Sequence, residues 1–491
     1  MRPASRLGDV TRVLRDAGLL TGVRAPEDAV VSGAAHDSRT VAPGDLFLAW
    51  RGTAADGHDY VDSARAAGAA AAVVERFLPD VDLPQLQVSD GRRAAALAAD
   101  AVFGRPGSRL EVVAVTGTNG KTTTALLARH LLGGRTGGAA ALGTLGVVGT
   151  DGRVQPGTEG LTTPDPVGLA RRLAALVEVG VGAVVLEASS HALDQHRLDA
   201  LAVRVAVFTN LSRDHLDYHP DEAAYRSAKL RLLDLLRPGG TAVVNAGDPA
   251  WDTVRGEGVL TYAVAGEADL RAENVVATPL GTRFTLHFRG AAVPVDLPLP
   301  GAFNVANALA AAGAALTLGV PLDRVAGQLG DAPPVPGRME RVVDRPFTVL
   351  IDFAHTPAAL ENLLTALRAV TRGRLLVLFG AGGDRDRGKR RPMAEAVARY
   401  ADRVYLTSDN PRSEDPERIL DDLESGLGEV ERVREADRRA AIRRAVREAR
   451  EGDVLVLAGK GHETAQVVGT VREPLDERAV VAEALRLREG R

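Results

Sequence analysis

Short apolar runs alternate with helical patterns over much of the chain. Apolar runs occupy residues 110–115, 183–186, 203–208 and 241–244, and residues 122–132 have a helical pattern. A strand buried on both faces reads as a continuous apolar run, and parallel neighbours need a helical crossover between them. The pattern therefore predicts a mostly parallel α/β sheet in the middle of the chain.

The pattern changes after this sheet. Residues 262–295 are more typical of antiparallel strands, and a long Ala/Leu helix is predicted at residues 302–318. Residues 332–337 contain three prolines, so we expect a linker there. Beyond it a second α/β domain is predicted, with strands at residues 348–351, 375–379, 404–406 and 454–457.

Polar clusters follow directly after the predicted strands. Turns that cap strands would explain one or two of them, but seven that combine Gly, Lys, His and Asp need another cause. Ligands of open α/β sheets bind at the carboxyl ends of the strands, so the clusters indicate a large site in a cleft between domains. They lie at residues 117–123, 187–191, 210–215, 352–355, 380–386, 408–412 and 459–463.

The length of 491 residues exceeds what one hydrophobic core supports. A turn-rich joint at residues 104–108 ends a mixed N-terminal segment. Together with the proline-rich linker, this joint predicts three α/β domains, at residues 1–107, 108–336 and 337–491.

Composition narrows the functional classes. The net charge of -4 is small for this length, so nothing suggests a nucleic-acid or anionic-membrane partner. The absence of cysteine excludes disulfides, thiolate metal sites and cysteine nucleophiles. The N-terminus lacks the apolar core of a secretory signal, and no segment has the ~18 uncharged apolar residues of a membrane helix. We expect a cytoplasmic protein without membrane insertion.

Lysine is scarce, since only four of the 60 basic residues are lysine. A genomic preference for arginine codons explains this, but it should retain lysine mainly where arginine cannot replace it. Lysine is a compact charge that can be deprotonated and modified. Each lysine is therefore a candidate site residue, namely Lys121, Lys229, Lys389 and Lys460.

A glycine-rich loop carries the first of these lysines between a predicted strand and a predicted helix. Backbone N–H groups at such a helix start bind phosphates, the lysine contacts the outer oxygens, and the threonine hydroxyl binds Mg²⁺. The generic motif has a glycine where this chain has Val115. The context still predicts nucleotide binding by Gly117, Thr118, Asn119, Gly120, Lys121, Thr122 and Thr123.

Carboxylate and imidazole groups after the next two predicted strands indicate a metal site. Glu187 and His215 follow these strands, and their oxygen-rich surroundings suit an Mg²⁺ ion that bridges nucleotide phosphates. A zinc site from His215 and His219 is an alternative, but it lacks the glutamate of zinc hydrolases and any thiolate. Ordinary polar loops are a third explanation.

Residues 117–123 resemble the shortened phosphate loop of the Mur ligase family, which includes folylpolyglutamate synthetases. The resemblance extends over essentially the whole chain. It implies that ATP phosphorylates a carboxylate and that an amine then attacks the acyl phosphate. It also implies a small α/β UDP-binding domain, a central P-loop domain and a C-terminal Rossmann-like domain.

The same resemblance implies a catalytic set. Thr122, Glu187 and His215 would serve Mg²⁺, and CO₂ would carboxylate Lys229 to a carbamate that binds a second Mg²⁺. Two cations, together with Lys121, would offset the repulsion between the ATP γ-phosphate and the acceptor carboxylate. Residues 301–307 resemble the family's adenine-side motif and residues 337–340 its hinge motif. These motifs assign Asn307 to the base and Arg338 to the phosphates.

Two further motifs resemble the pockets for the UDP-muramoyl peptide in the family member that adds the third peptide residue. The first implies a UDP pocket formed by Ser38, Thr53, Ala54 and Ala55. The second implies a muramoyl-peptide site formed by Thr162, Thr163, Ser189, Gln195 and Arg197.

Residues 409–412 resemble the motif of diaminopimelate-adding members. Diaminopimelate has a distal carboxylate that lysine lacks, and Arg412 can bind it with two parallel hydrogen bonds. Phe353 stands where tyrosine is more usual in the family, which removes one hydroxyl. The implied amino-acid site consists of Arg385, Asp409, Asn410, Pro411, Arg412, Gly459 and Glu463, with Glu463 accepting the distal ammonium.

The resemblance as a whole implies a monomeric, ATP-dependent amide-bond ligase of peptidoglycan precursor synthesis. It would add diaminopimelate to UDP-N-acetylmuramoyl-L-alanyl-D-glutamate. The same reaction with L-lysine, a folate-polyglutamylating activity and a nucleotide-binding regulator without turnover are the alternatives. The motif at residues 37–39 disfavours the folate activity.

Overall fold

The computed structural model describes residues 5–26, 28–52, 55–155, 157–158, 160–278, 281–488 and 490. Three larger sheets with flanking helices succeed one another along these residues. The predicted α/β class with three domains is confirmed. The limits of the domains stay predictions.

The N-terminal unit is a small sheet between helices. Its elements are β1 (Ser5–Arg6), α1 (Leu7–Asp16), β2 (Leu20–Arg24), β3 (Val30–Val31), β4 (Gly33–Ala35), β5 (Asp45–Leu48), α2 (Val61–Ala66), β6 (Ala71–Val74), β7 (Gln85–Val88) and α3 (Gly91–Val102). The strand order is β2-β7-β6-β5-β4, and only β2 of these runs antiparallel to its neighbour. Helices α1 and α3 pack on one face and α2 packs on the other.

The central unit is built on a longer sheet of order β10-β9-β11-β8-β12-β13-β14-β15-β16-β17. Its elements are β8 (Glu111–Thr116), α4 (Lys121–Leu132), β9 (Ala139–Gly143), β10 (Gly146–Val148), α5 (Pro166–Glu178), β11 (Ala183–Glu187), α6 (Ser190–Asp194), β12 (Val203–Phe208), α7 (Glu222–Leu230), β13 (Leu236–Asn245), β14 (Val259–Ala263), β15 (Leu270–Thr278), β16 (Gly281–Phe288), β17 (Ala291–Leu297), α8 (Ala302–Thr317) and α9 (Leu322–Gly330).

One prediction for this sheet was wrong at its boundary. The antiparallel part was placed from residue 262, but Tyr262 and Ala263 pair with β15 in the parallel sense. Antiparallel pairing begins between β15 and β16. The signal for it, alternation of apolar and polar residues, arises only where one face of the sheet is exposed.

The C-terminal unit has the strand order β18-β19-β23-β20-β21-β22, and β18 is the antiparallel strand of that sheet. Its elements are β18 (Glu340–Val343), β19 (Thr348–Asp352), α10 (Pro357–Val370), β20 (Leu375–Phe379), α11 (Arg390–Ala398), β21 (Arg403–Leu406), α12 (Pro416–Glu424), β22 (Glu431–Arg434), α13 (Arg438–Glu448), β23 (Val454–Ala458), β24 (Ala465–Val468), β25 (Val471–Pro474) and α14 (Glu477–Arg488).

The predicted polar clusters lie at the carboxyl ends of the strands. Glu187 is the last residue of β11 and Asp352 is the last residue of β19. The proline-rich joint at residues 332–337 has no helix or strand, as predicted. Among the described helices, none is both long enough and apolar enough to span a membrane.

Candidate functional site

The phosphate loop joins β8 to α4. Gly117 has a φ of 143° and Gly120, the N-cap of α4, has a φ of 85°, both in the region that favours glycine. A Cβ atom on Gly117 would overlap Thr209, and one on Gly120 would overlap Asn307. Lys121 Nζ donates hydrogen bonds of 2.9 Å to the carbonyl oxygens of Gly117 and the next residue. The loop, the lysine and the start of α4 thus form one arrangement, of the kind that binds phosphate in other proteins.

The loop after β12 is hydrogen-bonded to the phosphate loop. The Asn210 carbonyl accepts a 2.7 Å hydrogen bond from the Thr118 N–H, and Asn210 Oδ1 accepts one of 2.9 Å from the Asn119 N–H. The Thr118 hydroxyl lies 3.1 Å from the Tyr225 hydroxyl. These bonds connect two of the predicted polar clusters directly.

Glu187 is buried, with 3% of its surface exposed. Its Oε1 accepts a 2.8 Å hydrogen bond from the Thr144 N–H, and its Oε2 lies 3.0 Å from the hydroxyls of Thr144 and Thr122. Thr144 is in the turn between β9 and β10, and its hydroxyl is 3.2 Å from that of Thr162. Hard oxygen donors at the base of a phosphate loop suit Mg²⁺.

Lys229 lies in α7 with 1% of its surface exposed. Its Nζ donates a 2.7 Å hydrogen bond to the Gly117 carbonyl and lies 4.5 Å from the centre of the Tyr225 ring. Burial, followed by the positive charge of Lys121, lowers the pKa of Lys229 well below its ordinary value. This shift favours the neutral amine, which is the form that reacts with CO₂.

His215 lies beside the phosphate loop, between Asp214 and His191. Its Nε2 is 3.6 Å from Asp214 Oδ2, and its ring meets the His191 ring edge-on at 4.9 Å. Burial lowers the pKa of His215 to about 3, so the imidazole is neutral and can offer a nitrogen to a metal ion. The His219 N–H donates to the His215 carbonyl, so the two histidines share one turn. Within the described residues, no group of three or more His, Asp or Glu side chains is placed to hold a metal ion.

A pocket between the central and C-terminal units borders the phosphate loop. Asn307 lines it from α8 and donates a 3.2 Å hydrogen bond to Asn304 Oδ1. Arg338 lines it from the other side, with its guanidinium 4.5 Å from the centre of the Phe353 ring. Arg338 Nη2 also donates a 3.1 Å hydrogen bond to the Thr122 hydroxyl. The pocket thus extends from the phosphate loop to the space between Asn307 and Phe353.

The predicted muramoyl-peptide residues form one hydrogen-bonded network. The Thr163 hydroxyl donates a 2.7 Å hydrogen bond to the Glu187 carbonyl and accepts one of 3.1 Å from the Ser189 N–H. Arg197 donates to the Thr163 carbonyl at 2.8 Å and to Gln195 Oε1 at 3.1 Å. The network therefore adjoins the candidate metal site through Glu187.

A cavity of the N-terminal unit contains the predicted UDP-binding residues that are described. Its lining includes His36, Ser38, Trp50, Ala55 and Tyr60. The His36 and Trp50 rings are stacked on each other with centroids 5.6 Å apart. Thr53 and Ala54 lie outside the described residues.

The predicted amino-acid residues lie on three neighbouring loops. Arg412 follows β21, has a φ of 51°, and donates a 2.7 Å hydrogen bond to the Gly383 carbonyl. Gly382 lies between the two candidate arginines, because a Cβ atom there would be 3.0 Å from Arg412 Nη1 and 3.7 Å from Arg385 Cγ. The Pro411 carbonyl packs against Gly383 so closely that a Cβ atom there would overlap it.

The third of these loops follows β23 and carries Gly459 and Glu463. Gly459 has a φ of 112°, and its N–H donates a 3.0 Å hydrogen bond to the Asp352 carbonyl. Glu463 Oε2 accepts a 2.9 Å hydrogen bond from Asn410 Nδ2. Asp409 and Asn410 are 6% and 7% exposed, so their side chains are held inside the loop cluster.

Ion pairs connect the loop after β12 to the loop after β20. The pairs are Arg213 with Asp386 at 3.1 Å, Asp214 with Lys389 at 3.5 Å and Asp217 with Arg385 at 3.8 Å. Asp214 and Lys389 have side chains that are each 8% exposed. The phosphate loop and the loops after β20, β21 and β23 therefore face a common cleft, as predicted from the polar clusters at the strand ends.

Two contributions to the site were missed by sequence reasoning. Thr144 orients both carboxylate oxygens of Glu187, but its Gly-Thr-Leu-Gly surroundings are typical of any hairpin turn and carry no signal. The scarcity of lysine drew attention to Lys389 and Lys460, but their partners, such as Asp214, become visible only in three dimensions.

Family models of Mur ligases match most of the chain. The Mur ligase family catalytic domain matches residues 30–111, the Mur ligase middle domain matches residues 115–315, and the Mur ligase glutamate ligase domain matches residues 337–461. These matches agree with the resemblance seen in the motifs.

Individual relatives are similar over nearly the full length. The UDP-N-acetylmuramoyl-L-alanyl-D-glutamate–2,6-diaminopimelate ligase of Geobacillus kaustophilus is 44% identical, covering 92% of this chain and 94% of the relative. The solved structure of a ligase with that name is 33% identical, with a TM-score of 0.67 and coverage of 96% and 98%. The MurF ligase of Thermotoga maritima in complex with ADP has a TM-score of 0.65 at 20% identity, with coverage of 94% and 97%, and shares the fold.

Proposed function

The chain belongs to the Mur ligase family, and on that premise we propose that it adds 2,6-diaminopimelate to UDP-N-acetylmuramoyl-L-alanyl-D-glutamate while ATP is converted to ADP and phosphate. The observation that carries this proposal is the 44% identity to a curated ligase of that name over 92% of the chain. The loop of Arg412, close to Arg385 and Glu463 in the same cleft, supports the choice of amino acid.

ATP would occupy the pocket between the central and C-terminal units. An ADP complex is known for the MurF ligase of similar fold. In the proposal the phosphates lie on residues 117–123 with Lys121 at their outer oxygens, the base lies near Asn307, and Arg338 lies near the phosphates. The use of ATP makes the cytoplasm the proposed place of the reaction.

The reaction would proceed in two displacements. A γ-carboxylate oxygen of the D-glutamyl residue attacks the γ-phosphorus of ATP, and ADP leaves, which forms an acyl phosphate. The amine of diaminopimelate then attacks the acyl carbon, a tetrahedral intermediate collapses, and phosphate leaves after the amine has lost a proton. The ion pairs across the cleft, such as Asp214 with Lys389, would hold the C-terminal unit closed and keep water from the acyl phosphate.

Magnesium fits the donors at the base of the phosphate loop. Thr122 and Glu187 offer oxygen atoms 3.0 Å apart, and neutral His215 lies nearby. Mg²⁺ commonly takes one or two protein ligands and completes its shell with water and phosphate oxygens. When bound there, the ion would offset negative charge between the γ-phosphate and the acceptor carboxylate.

Lys229 is proposed to be carboxylated by CO₂. Its neutral amine, buried beside Gly117, would become a carbamate, which has the charge and oxygen atoms of a carboxylate. A carbamate at this position could hold a second Mg²⁺, which a cationic lysine could not.

The other ends of the substrates would bind in the neighbouring units. The uridine diphosphate would lie in the cavity of residues 1–107 near Ser38, and the dipeptide would lie along Thr162, Thr163 and Arg197 in residues 108–336. Diaminopimelate would bind to the C-terminal unit, in residues 337–491. All of these residues belong to one chain, so we expect a monomer to suffice.

Phosphate release with different amino acids tests this function. With ATP, Mg²⁺ and the UDP-muramoyl dipeptide, diaminopimelate should give a kcat/KM at least about 100-fold above that of L-lysine. The reason is that the polar groups which would bind the distal carboxylate stay unpaired when lysine is bound. Strong turnover of lysine with none of diaminopimelate would instead assign the lysine-adding reaction.

Two further outcomes would overturn the proposal more broadly. Phosphate release that needs a folate acceptor in place of the dipeptide would indicate a folate-polyglutamylating enzyme. ATP binding without phosphate release for any amino acid would indicate a regulator.

A further inference from the structure

Lys460 is the lysine to which no role has been assigned, and its side chain is 0% exposed. It follows β23, and its Nζ donates 3.0 Å hydrogen bonds to Asn410 Oδ1 and to Glu463 Oε2. The same Nζ lies 3.5 Å from Asp409 Oδ1. One buried ammonium therefore contacts side chains of two different loops.

These two loops start from strands that are not neighbours. In the sheet, β20 lies between β21 and β23. The loop after β21 crosses the end of β20 at Gly380, where a Cβ atom would overlap the Thr407 carbonyl and lie 3.0 Å from the Asp409 N–H. Because Gly380 has no side chain, Asn410 reaches Lys460.

The hydrogen bonds of Lys460 leave one oxygen of Glu463 for a ligand. Oε2 of Glu463 is taken by Lys460 and by Asn410 Nδ2. Within the described residues Oε1 has no hydrogen bond, and the side chain is 33% exposed. Asn410 is fixed from the other side as well, because its Oδ1 accepts a 2.9 Å hydrogen bond from the Val467 N–H in β24.

We propose that Lys460 is a positioning residue for the incoming amino acid: it fixes Asn410 and Oε2 of Glu463, which leaves Oε1 of Glu463 for the ammonium of a distal group that also carries a carboxylate. This inference rests on the proposed function. The distal end of diaminopimelate is net neutral, whereas the side chain of lysine is net positive. Removal of the Lys460 charge makes the pocket more negative and so favours lysine relative to diaminopimelate.

The test compares Lys460→Met and Lys460→Gln with the unmodified enzyme. For each protein, KM and kcat are measured for diaminopimelate and L-lysine, together with the KM of ATP and the midpoint of thermal unfolding. In Lys460→Met we expect the KM for diaminopimelate to rise about tenfold, because the charge-assisted hydrogen bonds of Lys460 are lost. The ratio of kcat/KM for diaminopimelate to kcat/KM for lysine should fall by a similar factor. Lys460→Gln keeps a donor without the charge, so a smaller rise in KM but a similar fall in the ratio is expected.

Arg374→Met is the matched control. Arg374 precedes β20 and pairs at 2.7 Å with Asp453, which precedes β23, so it connects the same part of the sheet at the opposite end. Its loss should lower the unfolding midpoint without changing the KM for diaminopimelate or the ratio over lysine.

The outcomes separate the role of Lys460 from the proposed function. A rise in the KM for diaminopimelate and a fall in its kcat/KM ratio over lysine, with an unchanged KM for ATP, support the positioning role of Lys460. If both Lys460 variants change only the unfolding midpoint or kcat, or are insoluble while Arg374→Met is soluble, Lys460 serves folding alone and the inference is wrong. If the unmodified enzyme does not use diaminopimelate, the proposed function fails first, and the inference fails with it.

Discussion

Lys229→Met should lower kcat about a thousandfold, because the loss of a group that stabilises charge in the transition state costs of this order. Methionine is close to lysine in length and shape, so it can fill the buried site of Lys229, but it cannot form a carbamate. The KM of ATP should change much less, because Lys121 and the backbone of the phosphate loop remain. Steady-state phosphate release gives kcat and KM in one experiment.

The matched control lies on the same helix. Arg226 in α7 donates to the Ala250 carbonyl and the Thr253 hydroxyl, neither of which belongs to the phosphate loop. Arg226→Met should therefore keep near-normal turnover. After equilibration with ¹³C-labelled bicarbonate, ¹³C NMR of the unmodified enzyme should show a carbamate carbon that Lys229→Met lacks. Near-normal kcat in Lys229→Met, or no such carbon, would remove the carbamate from the proposal.

Arg412→Ala should raise the KM for diaminopimelate between about 10-fold and about 100-fold, since a hydrogen bond to a charged group contributes ~1.5–3 kcal/mol. One arm of the guanidinium, Nη1, donates to the Gly383 carbonyl, and among the described residues the other nitrogens have no hydrogen bond, so we expect them to bind the distal carboxylate. The KM for L-lysine should change little, because lysine lacks that carboxylate. The measurement is the KM of each amino acid at saturating ATP and dipeptide.

The backbone at Arg412 decides which substitution is informative. Its φ of 51° is unusual for a residue with a side chain, so glycine would relieve strain as well as remove the guanidinium. Alanine avoids this second effect. Arg387→Ala is the control, because Arg387 lies on the neighbouring loop, is 71% exposed and pairs with Glu414. Equal KM values for Arg412→Ala and Arg387→Ala would contradict a role of Arg412 in binding diaminopimelate.

The strands were predictable because their signal is local. The apolar run at residues 203–208 coincides with β12 (Val203–Phe208), and the run at residues 375–379 coincides with β20 (Leu375–Phe379). Burial on both faces requires consecutive apolar residues, which one sequence displays directly. The boundary at Tyr262 was missed because parallel and antiparallel neighbours of a buried strand read alike.

The sequence alone determined where the candidate site residues lie along the chain. The spacing of residues 117–123 at a helix start, the polar residues at strand ends and the scarce lysines all depend on near neighbours. Only the tertiary structure decided the contacts between residues far apart in the chain. Thr144 orients Glu187, Lys389 meets Asp214 across the cleft, and Lys460 joins Asn410 to Glu463. Such contacts follow from the order of strands in each sheet and from the closure of the domains, and local spacing encodes neither.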